Sequence, residues 1–398
     1  MKRIVCLTYI LFYFVAKQNA QINLVKNPSF ENISGCPTAY NQIKLALGWD
    51  TLKSGGGGGP DLFNSCLNPN NLYGTPYNLH GISYQPAKTG VSYSNLASYV
   101  STTLTVGQRD YIQTQLLNPM VIGNTYCVKF YVSLTNRSQY AIDELGAYID
   151  DGSIYAPYYQ PALVSPQVKS PTGVFYTDTL NWMKVEGLYT ATANHTYLTL
   201  GNFKSQAATN YTLAYPSNSA IISEYYFDDV SVIDIATPAY AGRDTLLCTN
   251  DSVFLGRTPE IGLDCQWFIN SNVIGEGAGI WVKPSSTQTY IVKQDLCGII
   301  DYDTVTVSID PTCFVGIDEL NNENSFEIYP NPTNSILSIT DKNQQLQNAT
   351  IEIKNTLGQI VYFDVYANQI DVAHLPAGIY FISLNTKETK RTIKFVKD

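Results

Sequence analysis

In the run Tyr126-Cys127-Val128-Lys129-Phe130-Tyr131-Val132-Ser133-Leu134, every second side chain is large and apolar. Successive side chains of a strand point to opposite sides, so Tyr126, Val128, Phe130, Val132 and Leu134 share a face, and a central strand with one buried face is expected. Similar alternation recurs around Ile112 to Leu116, Tyr197 to Phe203 and Tyr225 to Ile233, between clusters of Gly, Pro and Asn. From Gln21 to about Ile235 there is no sustained i, i+3, i+4 stripe that would mark an amphipathic helix. The expected fold class is all-β, as tandem β-sandwiches. Composition agrees: 14% of the residues are charged against a norm of about 25%, and the chain carries 30 tyrosines, 27 glycines and 19 prolines. That mix favours strands and turns over helices.

Export is written at the start. Met1-Lys2-Arg3 precedes an apolar run from Ile4 to Ala16 that closes at Asn19-Ala20, which reads as a signal peptide over residues 1–20 leading to the periplasm. No later stretch offers the roughly 18 consecutive apolar residues of a membrane helix. The net charge of -9 is spread without long like-charge runs, which excludes a cationic surface for nucleic acid. With Cys6 inside the apolar run, seven of the eight cysteines lie in an exported chain where disulfides form, and an odd number leaves one unpaired. Cys36 and Cys66 both sit among turn residues and are expected to pair, while Cys127, mid-strand, reads as a buried thiol. Cys248, Cys265, Cys297 and Cys313 admit three pairings, of which Cys248 with Cys297 is favoured. No CxxC pair exists and His80, His195 and His374 are scattered, so a zinc site is not expected.

Composition shifts divide the mature chain. Residues 21–236 read as one large sandwich, residues 237–312 as a compact second module, 313–325 as a polar linker and 326–398 as a final domain. Gly55 to Gly59 reads as a flexible loop tip, because a phosphate-cradling loop would need a following Lys-Ser/Thr and a helix. In the second module, Ser252 to Leu255, Cys265 to Ile269, Thr289 to Val292 and Thr304 to Ile309 are strands around Trp267. The module resembles the immunoglobulin-like and PKD-like spacers of bacterial surface proteins.

The final domain is the most specific segment. Phe326-Glu327-Ile328-Tyr329-Pro330-Asn331-Pro332-Thr333 opens it, Ile351 to Val361 with Leu357-Gly358-Gln359 follows, and Leu375-Pro376-Ala377-Gly378-Ile379-Tyr380-Phe381-Ile382 leads into a basic close with Arg391, Lys394 and Lys397. These elements resemble the type A C-terminal sorting domain of type IX secretion cargo, although Asp398 departs from the usual Lys ending. The resemblance implies recognition by the type IX translocon, then release or coupling to surface lipopolysaccharide, and hence a secreted or outer-membrane cell-surface location.

At the other end, Asn23-Leu24-Val25-Lys26-Asn27-Pro28-Ser29-Phe30-Glu31 and Tyr225-Tyr226-Phe227-Asp228-Asp229-Val230 resemble the first and last strands of galactose-binding-like jelly rolls. Gly48-Trp49 and Pro60 to Cys66 resemble an N-terminal domain found on secreted proteins of gliding bacteria. Such jelly rolls hold a structural calcium where the chain ends meet, for which the resemblance suggests Glu31 and Asp229, with Asp228 as substitute. Sugar binding would need exposed aromatic platforms, and Tyr73, Tyr77, Tyr84, Tyr93, Tyr155, Tyr158 and Tyr159 are the loop candidates, with Asn70, Asn71 and Asn78 nearby. Trp49 and Trp182 read as core. Paired carboxylates for glycoside hydrolysis could be drawn from Asp143, Glu144, Asp150 and Asp151, and a solvated loop is the preferred reading. Without GxSxG, HExxH or a Cys/His constellation, no enzymatic activity is expected. The resulting expectation is a noncatalytic cell-surface protein, an adhesin or carbohydrate-binding protein, with a glycan-active hydrolase or a structural surface-layer component as alternatives.

Overall fold

A computed structural model describes the chain except residues 1–21, 53–58, 67–70, 79–82, 101–108, 157–160, 217–220, 312, 314–325, 342–348 and 386–389. The signal peptide, most of the glycine run, Tyr158, Tyr159, Asn70 and nearly all of the linker therefore lie outside the described residues. The described chain is all-β and forms two compact units, one ending at Phe314 and one beginning at Val315.

In the first unit, one five-stranded sheet runs in the order Trp49–Thr51, Ile112–Gln115, Tyr197–Gly201, Gly146–Asp150, Val168–Lys169. The second runs Met183–Thr190, Thr125–Leu134, Ile222–Asp234, Ser92–Val100, Asp61–Asn64. Their inner faces meet in a core that includes Leu62, Leu96, Val128, Phe130, Val132, Leu198, Tyr225 and Phe227. Leu24 N–H donates to the Val232 carbonyl at 2.9 Å, so the first residues run beside the last strand. Tyr126 to Leu134 forms the expected central strand, but both of its faces are covered. Cys127, Lys129 and Ser133 are as buried as Val128 and Phe130, because the second module and the loop through Gln85 pack on the outer side.

That module places Thr245–Cys248, Ile299–Asp310, Gln288–Leu296, Asp264–Ile269 and Asn272–Glu276 in one sheet, with Val253–Gly256 and Gly279–Val282 as a second pair. Trp267 is fully buried at its centre, and its indole N–H donates to the Gly277 carbonyl at 3.0 Å.

Cys36 is bonded to Cys66, Cys127 to Cys297, and Cys248 to Cys313, with Cα separations of 6.0, 5.5 and 5.0 Å. Among the described residues Cys265 is the free thiol, and it is buried. The favoured Cys248–Cys297 pairing and the free Cys127 are both corrected, for a geometric reason. Cys248 lies opposite Asp310 in a parallel pairing, whereas Cys297 sits in the turn at the far end of Ile299–Asp310. A strand of that length spans roughly 36 Å at 3.3 Å per residue. Cys313 is three residues beyond Asp310, and the turn holding Cys297 abuts the outer face of Thr125–Leu134.

The second unit is a small sandwich. Phe326–Tyr329, Ile336–Asp341 and Gln369–Asp371 make one sheet, and Ile360–Val365, Thr350–Asn355, Gly378–Asn385 and Lys390–Lys397 the other. Tyr380, Ile382 and Leu384 point into the core while Ile379 and Phe381 stay exposed, as the alternation predicts. The Pro330-Asn331-Pro332 turn is tied to the last strand: Asn331 Oδ1 accepts from Val396 N at 2.9 Å, Asn331 Nδ2 donates to the Lys394 carbonyl at 3.1 Å, and Thr333 N donates to the Val396 carbonyl at 2.9 Å. In the middle motif, Asn355 Oδ1 accepts from both Leu357 N and Gln359 N, and Gly358 supplies the left-handed φ of 79°. The opening and closing motifs are thus one physical piece.

Closing a loop of 170 residues, the Cys127–Cys297 bond contributes about 5 kcal/mol in the chain-entropy model. Cys127→Ser and Cys297→Ser are each expected to lower the melting midpoint, and a non-reducing peptide map should join these two cysteines. A peptide joining Cys248 to Cys297 would overturn the assignment.

Candidate ligand-binding face

The outer face of the second sheet is where the sequence places chemistry. Cross-strand register sets Asp61 opposite Asn95, Asn95 opposite Tyr226, Tyr226 opposite Ser133, and Phe63 opposite Tyr93, all pointing away from the core. Phe63, Tyr93 and Tyr226 form a ring cluster with centroids 4.7 to 5.6 Å apart, closed over by Tyr73 at 5.8 Å from Phe63. The buried Asn78 amide donates to the hydroxyls of Tyr226 at 3.1 Å and Tyr93 at 3.3 Å.

Tyr73 and Tyr93 are therefore core residues rather than sugar platforms, a correction to the loop-tyrosine expectation. Their strands and the overlying loop bury both sides of each ring. Tyr77 and Tyr84 behave differently. They face each other across the Tyr77–Asn78 and Ser83–Tyr84 ribbon, ring centroids 4.7 Å apart, and remain 55% and 46% exposed. Tyr155 is exposed as well. Trp49 is buried with its N–H on the Asn27 carbonyl at 2.7 Å, and Trp182 is half-buried against Tyr93 with its N–H on the Pro86 carbonyl at 3.0 Å.

Beside the aromatic cluster lies a buried polar group that sequence reading did not single out. Glu224 is held by a two-pronged Arg137 guanidinium at 2.7 and 2.5 Å. Asp61 Oδ1 accepts from Asn41 N at 2.7 Å, and Asp110 Oδ2 from Ala97 N at 3.0 Å. Asp110 Oδ1 and Asn95 Nδ2 are buried with no hydrogen-bond partner among the described residues. Burial pushes both the Asp61 and Asp110 carboxyls up to about 7, and the nearby Glu224 charge adds to it. Period-two alternation marks Asp61 as outward-facing, but only packing shows that outward here is not solvent.

The calcium candidates come together from opposite ends of the module. Glu31 Oε1 accepts from Val91 N at 2.8 Å and Ser92 N at 2.7 Å. Asp228, fully buried, accepts from Lys88 N at 2.8 Å and Asp229 N at 2.7 Å, while Asp229 takes the Thr89 hydroxyl at 2.5 Å. Gly90, with φ of 65°, lies so close to Glu31 that a β-carbon would strike the carboxylate. Burial raises the Asp228 and Asp229 carboxyls; Asp229 raises Asp228 further, and Glu31 adds to the rise at Asp229. Among the described residues, only Cys127, Glu186 and Cys297 bring three such donors within 4.8 Å of one another, and those two sulfurs are bonded to each other. Glu31, Asp228 and Asp229 by themselves do not form a closed cage.

The hydrolase candidates are not a solvated loop, again a correction. Asp143, Glu144 and Asp150 are buried, and Asp151 alone is exposed. Asp143 Oδ2 accepts from Gly173 N and Asn210 Nδ2, and Asp150 from Gly152 N and Ile154 N. Burial alone would raise the Glu144 carboxyl, but Lys204, Thr172 and Lys169 outweigh it and hold it down to about 2. A carboxylate that acidic cannot serve as a general acid near neutrality.

Residues 327–398 match the family model described as the secretion system C-terminal sorting domain. No curated protein is similar to the chain. Among solved structures, the N-terminal CBM22-1-CBM22-2 tandem domain from Paenibacillus barcinonensis Xyn10C aligns over 95% of this chain and 86% of its own, at 11% identity and a TM-score of 0.28. An anomalous substructure of Titin-A168169 aligns over 40% of this chain and 95% of its own, at 9% identity and a TM-score of 0.16. Extracellular domains 3–5 of Drosophila OTK align over 41% and 63%, at 7% identity and a TM-score of 0.15. Superpositions this loose establish no shared fold.

The two raised carboxyls set a pH dependence. Unfolded, Asp61 and Asp110 ionise near 3.8; folded, near 7. The unfolded state therefore binds fewer protons between these values, so the contribution of these two groups to stability is fully present below about 4 and is lost as pH rises through about 7. Asp110→Asn keeps the acceptor for Ala97 N and is expected to raise the melting midpoint by several degrees near pH 8 while leaving it unchanged near pH 4. An equal shift at both pH values would exclude a role for ionisation.

Proposed function

Because the chain is type IX secretion cargo, with its sorting domain at residues 327–398 and export to the cell surface or extracellular space, we propose that its first unit is a noncatalytic glycan-binding adhesin. The observation that carries this reading is the Tyr77 and Tyr84 pair. The two rings pack on each other on a two-stranded ribbon and leave about half of their surface exposed, and an exposed aromatic face is what the apolar side of a sugar ring stacks on. The engagement of Asp143, Glu144 and Asp150 in internal hydrogen bonds supports binding over hydrolysis. Coupling to surface lipopolysaccharide after removal of the sorting domain is the anchoring step in this reading.

A glycan array and a panel of glycosidase substrates, run on the mature chain, separate the possibilities. Binding without turnover is expected, and Tyr77→Ala with Tyr84→Ala should weaken it by about tenfold or more. Turnover would favour a hydrolase, and neither activity a structural surface-layer component.

We further propose a structural calcium between Glu31 and Asp229. In support, the two carboxylates bond the same short loop, Glu31 at Val91 and Ser92 and Asp229 at Thr89, and Glu31 Oε2 and Asp229 Oδ2 accept no hydrogen bond among the described residues. Calcium takes about six to eight oxygens, so backbone carbonyls and water would complete the shell. Millimolar calcium is expected to raise the melting midpoint of the wild type and not of Glu31→Gln. No shift in the wild type would end the proposal.

A further inference from the structure

The sequence reads residues 237–312 as a spacer, but in the first unit this module is locked onto the outer face of the central strand. The Cys127–Cys297 bond fixes one point. Two residues along the same strand, Lys129, only 1% exposed, meets Asp264 Oδ2 at 2.5 Å. Asn23 Nδ2 donates to the Ile261 carbonyl at 3.2 Å, and Asn23 N donates to Glu260 Oε1 at 2.5 Å. Gly262, with φ of 97°, lies so near Ser231 that any β-carbon there would collide.

This junction leaves a cleft of about 450 Å³, within the range of small-molecule sites. One wall is Lys88 and Tyr131, the ammonium 4.7 Å from the ring centroid. The other is a row across three strands, Glu276, Gln266 and Lys293, which cross-strand register places side by side, with Asp295 beyond. Neighbouring strands are about 4.8 Å apart, so a carboxylate, an amide and an ammonium follow one another at that spacing. Asp264 also lines the cleft, but Lys129 neutralises it. The two lysines then balance Glu276 and Asp295.

We propose that this cleft is a second binding site, completed by the immunoglobulin-like module, for a neutral polyhydroxylated ligand of one or two sugar rings. A hydroxyl donates and accepts at once, so it suits a wall that alternates acceptors and donors. A charged ligand gains nothing from a wall whose charges cancel, and an apolar one would strand them. The covalent lock holds both walls in place, which lowers the ordering cost of binding. Neither Tyr77 nor Tyr84 lines this cleft, so its test can fail while the hairpin reading survives.

The probes are lactose and cellobiose, titrated calorimetrically into the full mature chain. Tyr77→Ala/Tyr84→Ala should still bind a disaccharide at millimolar concentration. Gln266→Ala and Lys293→Gln, made in that background, should weaken this binding by about tenfold or more at an unchanged melting midpoint. Wild-type-like binding by both variants, or no disaccharide binding at all, would overturn the proposal. If Lys293→Gln melts early, Lys293→Arg, which keeps the charge, must restore affinity, and failure to do so also overturns it.

Discussion

Val128, Phe130 and Val132 alternate with Cys127, Lys129 and Ser133 along one strand, and both sets are buried. The same few residues close the first sandwich on one side and receive a second module and a loop on the other. Burying Lys129 away from water would be costly without a partner, and Asp264 of the second module stands opposite it. Cys127 then lies against the turn that carries Cys297, and the disulfide makes that docking permanent. The polar cleft between the modules exists because of this anchoring.

The outer face of the same sheet shows a second constraint. Asp61, Asp110 and Glu224 are placed where water would ordinarily solvate them, yet loops and tyrosines close over them. Arg137 pairs with Glu224 and also draws on Asp61, and backbone N–H groups bond Asp61 and Asp110. Burial outweighs these bonds and pushes both aspartate carboxyls up to about 7. Folding here spends stability on polarity that packing does not require, and buried polarity of this kind is common where a surface has been shaped for recognition.

The sorting domain was legible at the level of contacts. Its opening turn and closing strand are far apart in the chain, but Asn331 bonds both Val396 and Lys394, so the motifs are short because each is half of one joint. Trp267 was equally legible, since a large ring in the middle of an apolar strand of a small sandwich belongs at its centre. Turn residues around Cys36 and Cys66 pointed to the bond that the structure forms. The tyrosines resisted such reading. Tyr77 and Tyr93 both lie in short polar stretches of sequence, yet one is about half exposed and the other is sealed beneath a loop.

By itself the sequence determined the all-β class, the succession of sandwiches, the sorting domain and the inward face of each strand, because period-two alternation and turn chemistry act over a few residues. Only the tertiary structure decided which outward faces are covered, which cysteines meet, and which carboxylates are engaged. Those outcomes depend on contacts between residues tens to hundreds of positions apart, such as Cys127 with Cys297 and Glu31 with the loop at Val91 and Ser92. No local pattern encodes such a contact. It is set by how whole sheets and loops pack against one another.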